Sequence, residues 1–296
     1  MALSALPEEP GGAAERTENM GNEKEGPAAG AAGRADFRNE DGILICGVCG
    51  KPKEMRLPPI LDEKQGHIVH VLCDCEKRRE REREEQEKRK ALAERAERLR
   101  NECFPNSGFY KVCTFQKDDG RNPFQSSACQ RFAATFDRQD PNGLLLWGDV
   151  GTGKSFMSSC IANAVIDLGF SALQTDIGYI VSTMESSFED RRRNLDRILG
   201  TDLLLIEDLG TQRCTEYMME HVFTVVDGRY KNGKPMVITT NFTLNRISHA
   251  RSEDPWCRVF DRILERCFPI EFKGTNRRRE NGLEMRKAMR KKLGIE

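Results

Sequence analysis

From Phe104 onward, apolar residues come in short runs bounded by glycine, proline or polar residues: "GLLLWG", "LLLIED", "MVITTN" and "FPIEF". Runs of this length without internal alternation suit strands buried on both faces, as in a parallel sheet. The stretches between them have helical spacing instead. Phe156, Met157, Cys160, Ile161, Ala164, Val165 and Leu168 recur at three- and four-residue intervals after the first run, and Met218, Met219, Val222, Phe223, Val225 and Val226 before the third. Strand and helix in alternation predict an α/β domain over residues 104–280, a parallel sheet flanked by helices.

Upstream the pattern changes twice. Glu76 to Glu102, "EKRREREREEQEKRKALAERAERLRNE", has hardly an apolar stripe and nearly balanced charges. This predicts a charged helical linker over 76–103, solvated and laced by i,i+4 pairs, rather than a basic nucleic-acid helix. Before it lies a compact segment, 41–75, with four clustered cysteines. Residues 1–40 are rich in Gly, Ala, Pro and Glu and too poor in large apolar residues to offset the entropy of ordering them, which predicts a disordered tail. Residues 281–296 form a basic C-terminal tail.

Composition narrows the picture only slightly. The 296 residues include 47 Lys plus Arg and 47 Asp plus Glu, so net charge says nothing about partners. No apolar run approaches the roughly 18 residues of a membrane span, and the acidic start does not resemble a secretory signal. The expectation is a soluble, cytoplasmic protein with no membrane partner. Among the 11 cysteines only Cys46, Cys49, Cys73 and Cys75 cluster; the others sit singly in apolar surroundings, as buried free thiols do in a reducing compartment.

Chemistry enters with "GDVGTGKS". Gly148, Asp149, Val150, Gly151, Thr152, Gly153, Lys154 and Ser155 fit the phosphate-loop pattern G-x-x-x-x-G-K-[ST], and here a strand precedes it and an amphipathic helix follows. The glycines let successive N–H groups face phosphates, and the helix N-terminus points positive charge at the same place. Lys154 would reach the β and γ phosphates and Ser155 would ligate Mg²⁺. The loop does not choose between nucleotides; the absence of the guanine-reading N-K-x-D of GTPases favours ATP.

"LLLIED" then drives an apolar strand into two adjacent acids, Glu207 and Asp208. Buried neighbouring carboxylates are costly without a cation, so metal and triphosphate explain the pair where packing does not. One acid would complete the Mg²⁺ shell and the other position the attacking water. Glu207, with the longer arm, is placed on the Mg²⁺ side and Asp208 on the water side. "VITTN" ends the next strand at Asn241, placed to sense the γ-phosphate or hold that water. Arg258, Arg262 and Arg266 share one helix face at i,i+4 spacing and would repel unless they meet anions. Arg277 to Arg279 offer a further phosphate sensor.

Taken in order, these motifs resemble an AAA+ ATPase of the DnaC/DnaI helicase-loader group, with IstB as a cousin, over residues 104–280. The resemblance implies an AAA+ P-loop fold and an ATP-driven loader that delivers a DnaB-type hexameric helicase to single-stranded DNA. It assigns Lys154 and Ser155 to phosphate and Mg²⁺, Glu207 and Asp208 to metal and water, and Asn241 to the first sensor. Arg262 becomes a finger acting on a neighbouring protomer in self-assembly, with Arg266 beside it, and Arg278 the last sensor, its register open by one residue. The family has Asp first in its acidic pair; Glu first here implies slow hydrolysis. Alternatives are an IstB-like transposition ATPase on duplex DNA and a nucleotide-gated nucleic-acid-binding module with little hydrolysis.

The cysteines complete the reading. Cys46-x2-Cys49 and Cys73-x-Cys75 form a four-thiolate set in a segment too small for an apolar core, which a structural zinc would replace; His67 or His70 is an alternative ligand. The resemblance implies that this zinc module grips the helicase.

Overall fold

The computed structural model describes residues 35–58, 66–105, 107–210 and 215–295. The tail expected over 1–40 lies outside them up to residue 34. The chain divides into two compact units at Glu84 and Glu85.

In the first unit, β1 (Phe37–Arg38) pairs antiparallel with β2 (Leu44–Ile45), and β3 (Glu54–Arg56) with β4 (Ile68–His70). Its buried cluster is cysteine: Cys46, Cys73 and Cys75, with Cys49 against them. Lys53 ties the ends together, its Nζ 2.7 Å from both Asp36 and Glu76.

Helix α1 (Asp74–Cys103) carries the chain from one unit into the next. Its charged stretch is exposed, with loose pairs such as Arg78–Glu82 and Lys90–Glu94 at 4.0 Å that contribute little. The last third departs from the linker expectation. Ala96 and Cys103 are buried and Leu99 packs on the domain core, while Arg95 donates to Gly169 O at 3.0 Å and Arg100 meets Asn163 and Asp167. The few apolar positions of this charged run fall on one side, which suffices to dock it.

In the second unit the chain continues through α2 (Gly108–Lys111), α3 (Pro123–Ala134), β5 (Gly143–Gly148), α4 (Lys154–Asp167), β6 (Ala172–Asp176), α5 (Ile177–Glu185) and α6 (Phe188–Gly200). It goes on through β7 (Leu203–Leu209), α7 (Glu216–Lys231), β8 (Met236–Thr240), α8 (Leu244–Ser248), α9 (Cys257–Arg266), β9 (Cys267–Phe272) and α10 (Arg277–Leu293). Five strands form one parallel sheet in the order β6-β7-β8-β5-β9. The expected strands are there; β6, whose "ALQTD" is too polar to stand out, joins them at the edge.

Strand alternation splits the core in two. Leu145, Leu204, Ile206 and Ile238 face α5, α6, α7 and α9, whereas Leu144, Leu146, Leu203, Leu205 and Val237 face α3, α4 and the end of α1. Each fully buried leucine contributes about 1.5–3 kcal/mol, so uninterrupted apolar strands are what a sheet covered on both faces requires. Arg229 of α7 is buried completely and replaces water for four carbonyls: Leu199 (3.2 Å), Thr201 (2.5 Å), Asp202 (3.3 Å) and Pro235 (2.6 Å). Burial pulls its pKa down to about 9. At the C-terminus, the tail expected from residue 281 is the continuation of α10, with no buried side chain. No described helix is long and apolar enough to cross a membrane.

Candidate nucleotide site and cysteine centre

The turn between β5 and α4 is shaped by Gly148, Gly151 and Gly153, at φ 128°, 81° and 104°, a region that side chains disfavour. Two of these glycines also make room for a neighbour. A Cβ at Gly151 would lie 2.3 Å from Asn276 Oδ1, and one at Gly153 2.5 Å from Arg277 Nη1. The first turn of α10 therefore rests directly on the loop, and Arg277 N donates to Gly151 O at 3.0 Å. Arg277 also lies 3.3 Å from Asp119, and Arg121 pairs with Glu280, so this turn is held from the α2–α3 connection as well.

Lys154 begins α4. Its buried Nζ donates to Gly148 O (2.7 Å), Asp149 O (2.6 Å) and Asn241 Oδ1 (2.8 Å). The lysine and Asn241, the residue just after β8, thus meet across 87 residues of sequence. Burial lowers the lysine pKa, opposed by the nearby charges of Asp208 and Asp149. Thr152 Oγ1 donates to Asp149 O (2.8 Å), and Asn122 Nδ2 to Thr152 O (3.1 Å), fixing the loop from both sides.

A cleft of about 430 Å³ opens here, lined by Lys154, Ser155, Asp208, Asn241, Arg277 and Arg278, and also by Phe109, Tyr110 and Phe156. Of the three arginines that the sequence leaves open as last sensor, Arg277 and Arg278 line it; Arg277, not the favoured Arg278, is the one against Gly153. The sequence reading missed Phe109, Tyr110, Lys117 and Asp119. They lie before the first core strand in a short helix and a turn with no periodic signal.

The acidic pair sits at an irregularity. Ile206 of β7 pairs with Ile238 of β8, but the next pair is Leu209 with Thr240. Glu207 and Asp208 therefore stand opposite the single residue Thr239, a β-bulge with Asp208 at φ 53°. Regular alternation would send the two acids to opposite faces. Here both line a second cleft of about 380 Å³, and Asp208 lines the nucleotide cleft too. Glu207 is buried, its Oε2 accepting from Thr239 Oγ1 at 2.9 Å, while Oε1 has no hydrogen-bond partner. Burial raises its pKa against the opposing hydroxyls of Ser158, Ser155 and Thr239. A buried carboxylate oxygen without a donor, facing the phosphate-loop serine, is a setting that a divalent cation fits.

The arginine face meets its own chain. Arg258 lies over Phe223 (3.9 Å), Arg262 over Tyr230 (4.5 Å) and Arg266 over the same ring (4.7 Å), and Arg262 Nε donates to Asp227 Oδ1 at 3.0 Å. In place of the anions that the i,i+4 spacing seemed to demand, the guanidiniums meet two aromatic faces and one carboxylate of α7, which repeat at the matching interval. Arg262, expected as a finger, is thus engaged within its own chain.

In the first unit, the Sγ atoms of Cys46, Cys49, Cys73 and Cys75 all lie within 4.8 Å of one another. Four sulfurs around zinc at about 2.3 Å stand about 3.8 Å apart, so the set fits a tetrahedral ion with little adjustment. Gly50, at φ 68°, turns the first pair, with its N–H donating to Cys46 O at 2.9 Å. Backbone N–H groups of Cys75 and Lys51 hold the Cys49 thiol down to about 6, and the Cys49 sulfur pushes Cys75 up to about 11. Neither His67 nor His70 belongs to this group of donors.

A parallel sheet in this order, with a phosphate loop after β5, acids on β7 and a polar residue just after β8, defines an AAA+ P-loop ATP-binding fold. The IstB-like ATP binding protein family matches residues 80–285, and the chain belongs to it. Replicative helicase loader DnaI of Bacillus subtilis (strain 168) is 27% identical over 180 residues, 56% of this chain and 58% of DnaI. Replicative helicase loader DnaC of Escherichia coli (strain K12) is 25% identical over 184 residues, 58% of this chain and 74% of DnaC. Among solved structures, that of the DnaC helicase loader covers 56% of this chain and 100% of its own, with 23% identity and a TM-score of 0.48. That of DnaI covers 61% and 92%, with 23% identity and a TM-score of 0.45. The chain spans only about 58% of the length of DnaI.

Proposed function

We propose that the chain is a cytoplasmic, ATP-dependent loader of a DnaB-type hexameric helicase onto single-stranded DNA, hydrolysing ATP slowly as a switch. The observation that carries this reading is the convergence of Lys154, Asn241, Ser155 and the bulged acids at one end of the sheet. ATP would occupy the 430 Å³ cleft with its phosphates on the Gly148–Ser155 loop. Bound Mg²⁺, held by Ser155 and Glu207, would offset phosphate charge. Asp208 orients the attacking water, Asn241 reports on the γ-phosphate by exchanging its bond to Lys154, and Arg277 or Arg278 reads the same group. Arg262 acts on a neighbouring protomer by leaving Asp227, with Arg266 beside it.

A structural zinc on Cys46, Cys49, Cys73 and Cys75 would stabilise the first unit, whose surface then grips the helicase. The exposed bases Arg286 to Lys292 of α10 engage DNA phosphates. Supporting the loader over a transposition ATPase are the cysteine unit and relatives named as helicase loaders. The second reading is an IstB-like ATPase acting with a transposase on duplex DNA; the family's description as IstB-like supports the likeness alone. Size-exclusion chromatography with a DnaB-type helicase separates them. The expected result is co-elution in ATP that is lost when residues 1–75 are removed; a chain that binds zinc and ATP yet never co-elutes is not a loader.

A further inference from the structure

We infer that Thr239 is the positioning residue that gives the two adjacent acids separate orientations, by holding the bulge that turns Asp208 away from the ordinary strand course. The inference rests on the ATPase reading above and deepens it. Thr239 is the one residue on β8 facing two on β7, and its hydroxyl bonds to both. It accepts the Asp208 N–H at 2.8 Å and donates its single proton to Glu207 Oε2 at 2.9 Å. With the lone pair engaged on one side and the proton on the other, the hydroxyl cannot rotate without releasing one acid.

The side chain is wholly buried, so no solvent molecule from bulk can take over either bond without opening the sheet. Asp208 meanwhile holds φ 53°, a conformation that persists in a non-glycine residue only where its surroundings impose it. The neighbouring Thr240 has a different duty. Its hydroxyl donates to Leu209 O (2.7 Å) and accepts from Phe242 N (3.1 Å), resuming the pairing beyond the bulge. Thus "TTN" holds three residues with distinct tasks, and the first of them acts on the acids.

The test compares Thr239→Val, which keeps the shape and removes the hydroxyl, with Thr239→Ser, which keeps the hydroxyl. Three quantities are read: amide exchange over residues 204–210 in the nucleotide-free chain, ATP affinity, and kcat with KM. Thr239→Val should exchange roughly tenfold faster, bind ATP within about threefold of the wild type, and lose about 10- to 100-fold in kcat with KM little changed. Thr239→Ser should restore exchange and kcat together. Unchanged exchange and kcat in Thr239→Val, or a loss that serine does not rescue, overturns the inference. Should Thr239→Val not fold, Thr239→Ala takes its place under the same criteria. A wild-type chain that binds ATP without hydrolysing it defeats the ATPase reading instead; exchange then decides on its own whether Thr239 holds the bulge.

Discussion

Glu207→Gln is expected to stabilise the nucleotide-free chain at neutral and alkaline pH while removing its response to Mg²⁺ and ATP. Glu207 is 8% exposed, with one carboxylate oxygen bonded to Thr239 and the other without a donor. Burial raises its pKa above the ordinary glutamate value of about 4.3, so the folded chain holds this proton more tightly than the unfolded chain does. Below about pH 4.3 the group is protonated in both states and costs nothing. As pH rises through the window between the unfolded and the folded pKa, stability falls, and the penalty is constant above it. An unsatisfied buried polar group costs about 1–3 kcal/mol. At roughly 2–4 °C per kcal/mol for a domain of this size, the variant should melt about 2–12 °C higher at pH 8. Calorimetry of both proteins from pH 5 to 8, with and without Mg²⁺ and ATP, checks this. The difference should shrink toward acid pH, and ligands should raise the melting temperature of the wild type far more than that of the variant. A variant no more stable at pH 8, or an advantage independent of pH, refutes the argument.

Gly153→Ala places a methyl group at φ 104° and 2.5 Å from Arg277, and should lower ATP affinity more than about tenfold, read by titration with a fluorescent ATP analogue. Arg229→Met strands four carbonyls inside the domain; it should destabilise by about 3 kcal/mol or more, seen as a lower urea midpoint at unchanged m. Removing zinc with a chelator should release one ion per chain and strip amide protection from residues 36–58 and 66–75, leaving ATP affinity unaltered; release of no zinc from protein prepared in its presence contradicts the four-thiolate centre.

The order of strands and helices was legible because buried parallel strands must be continuously apolar. For the same reason β6, which ends in polar Gln174, Thr175 and Asp176, escaped notice. The phosphate loop was legible because its spacing is dictated by phosphate geometry. The bulge was not: "LLLIEDLG" looks like an uninterrupted strand, and only pairing with β8 shows that two residues share one partner. Nor could spacing foretell that Arg258, Arg262 and Arg266 would be matched by Phe223, Asp227 and Tyr230, because that match depends on which helix packs alongside. The lining of the cleft by Phe109 and Tyr110 was equally hidden, since a four-residue helix leaves no periodicity to read.

The seating of α10 on the phosphate loop has a mechanical consequence. Its 17 residues span about 25 Å, and its first turn is pinned at Gly151, Asp119 and Arg121 while the remainder lies exposed. Such a rod is a lever with its fulcrum at the phosphate loop. A tilt of roughly 10° as Asn276 and Arg277 follow the loop would sweep Lys291 and Lys292 through about 4 Å, comparable to the gap between neighbouring bases along a strand. A sub-ångström adjustment around a phosphate group can in this way become a movement large enough to engage or release a charged polymer at the helix's far end.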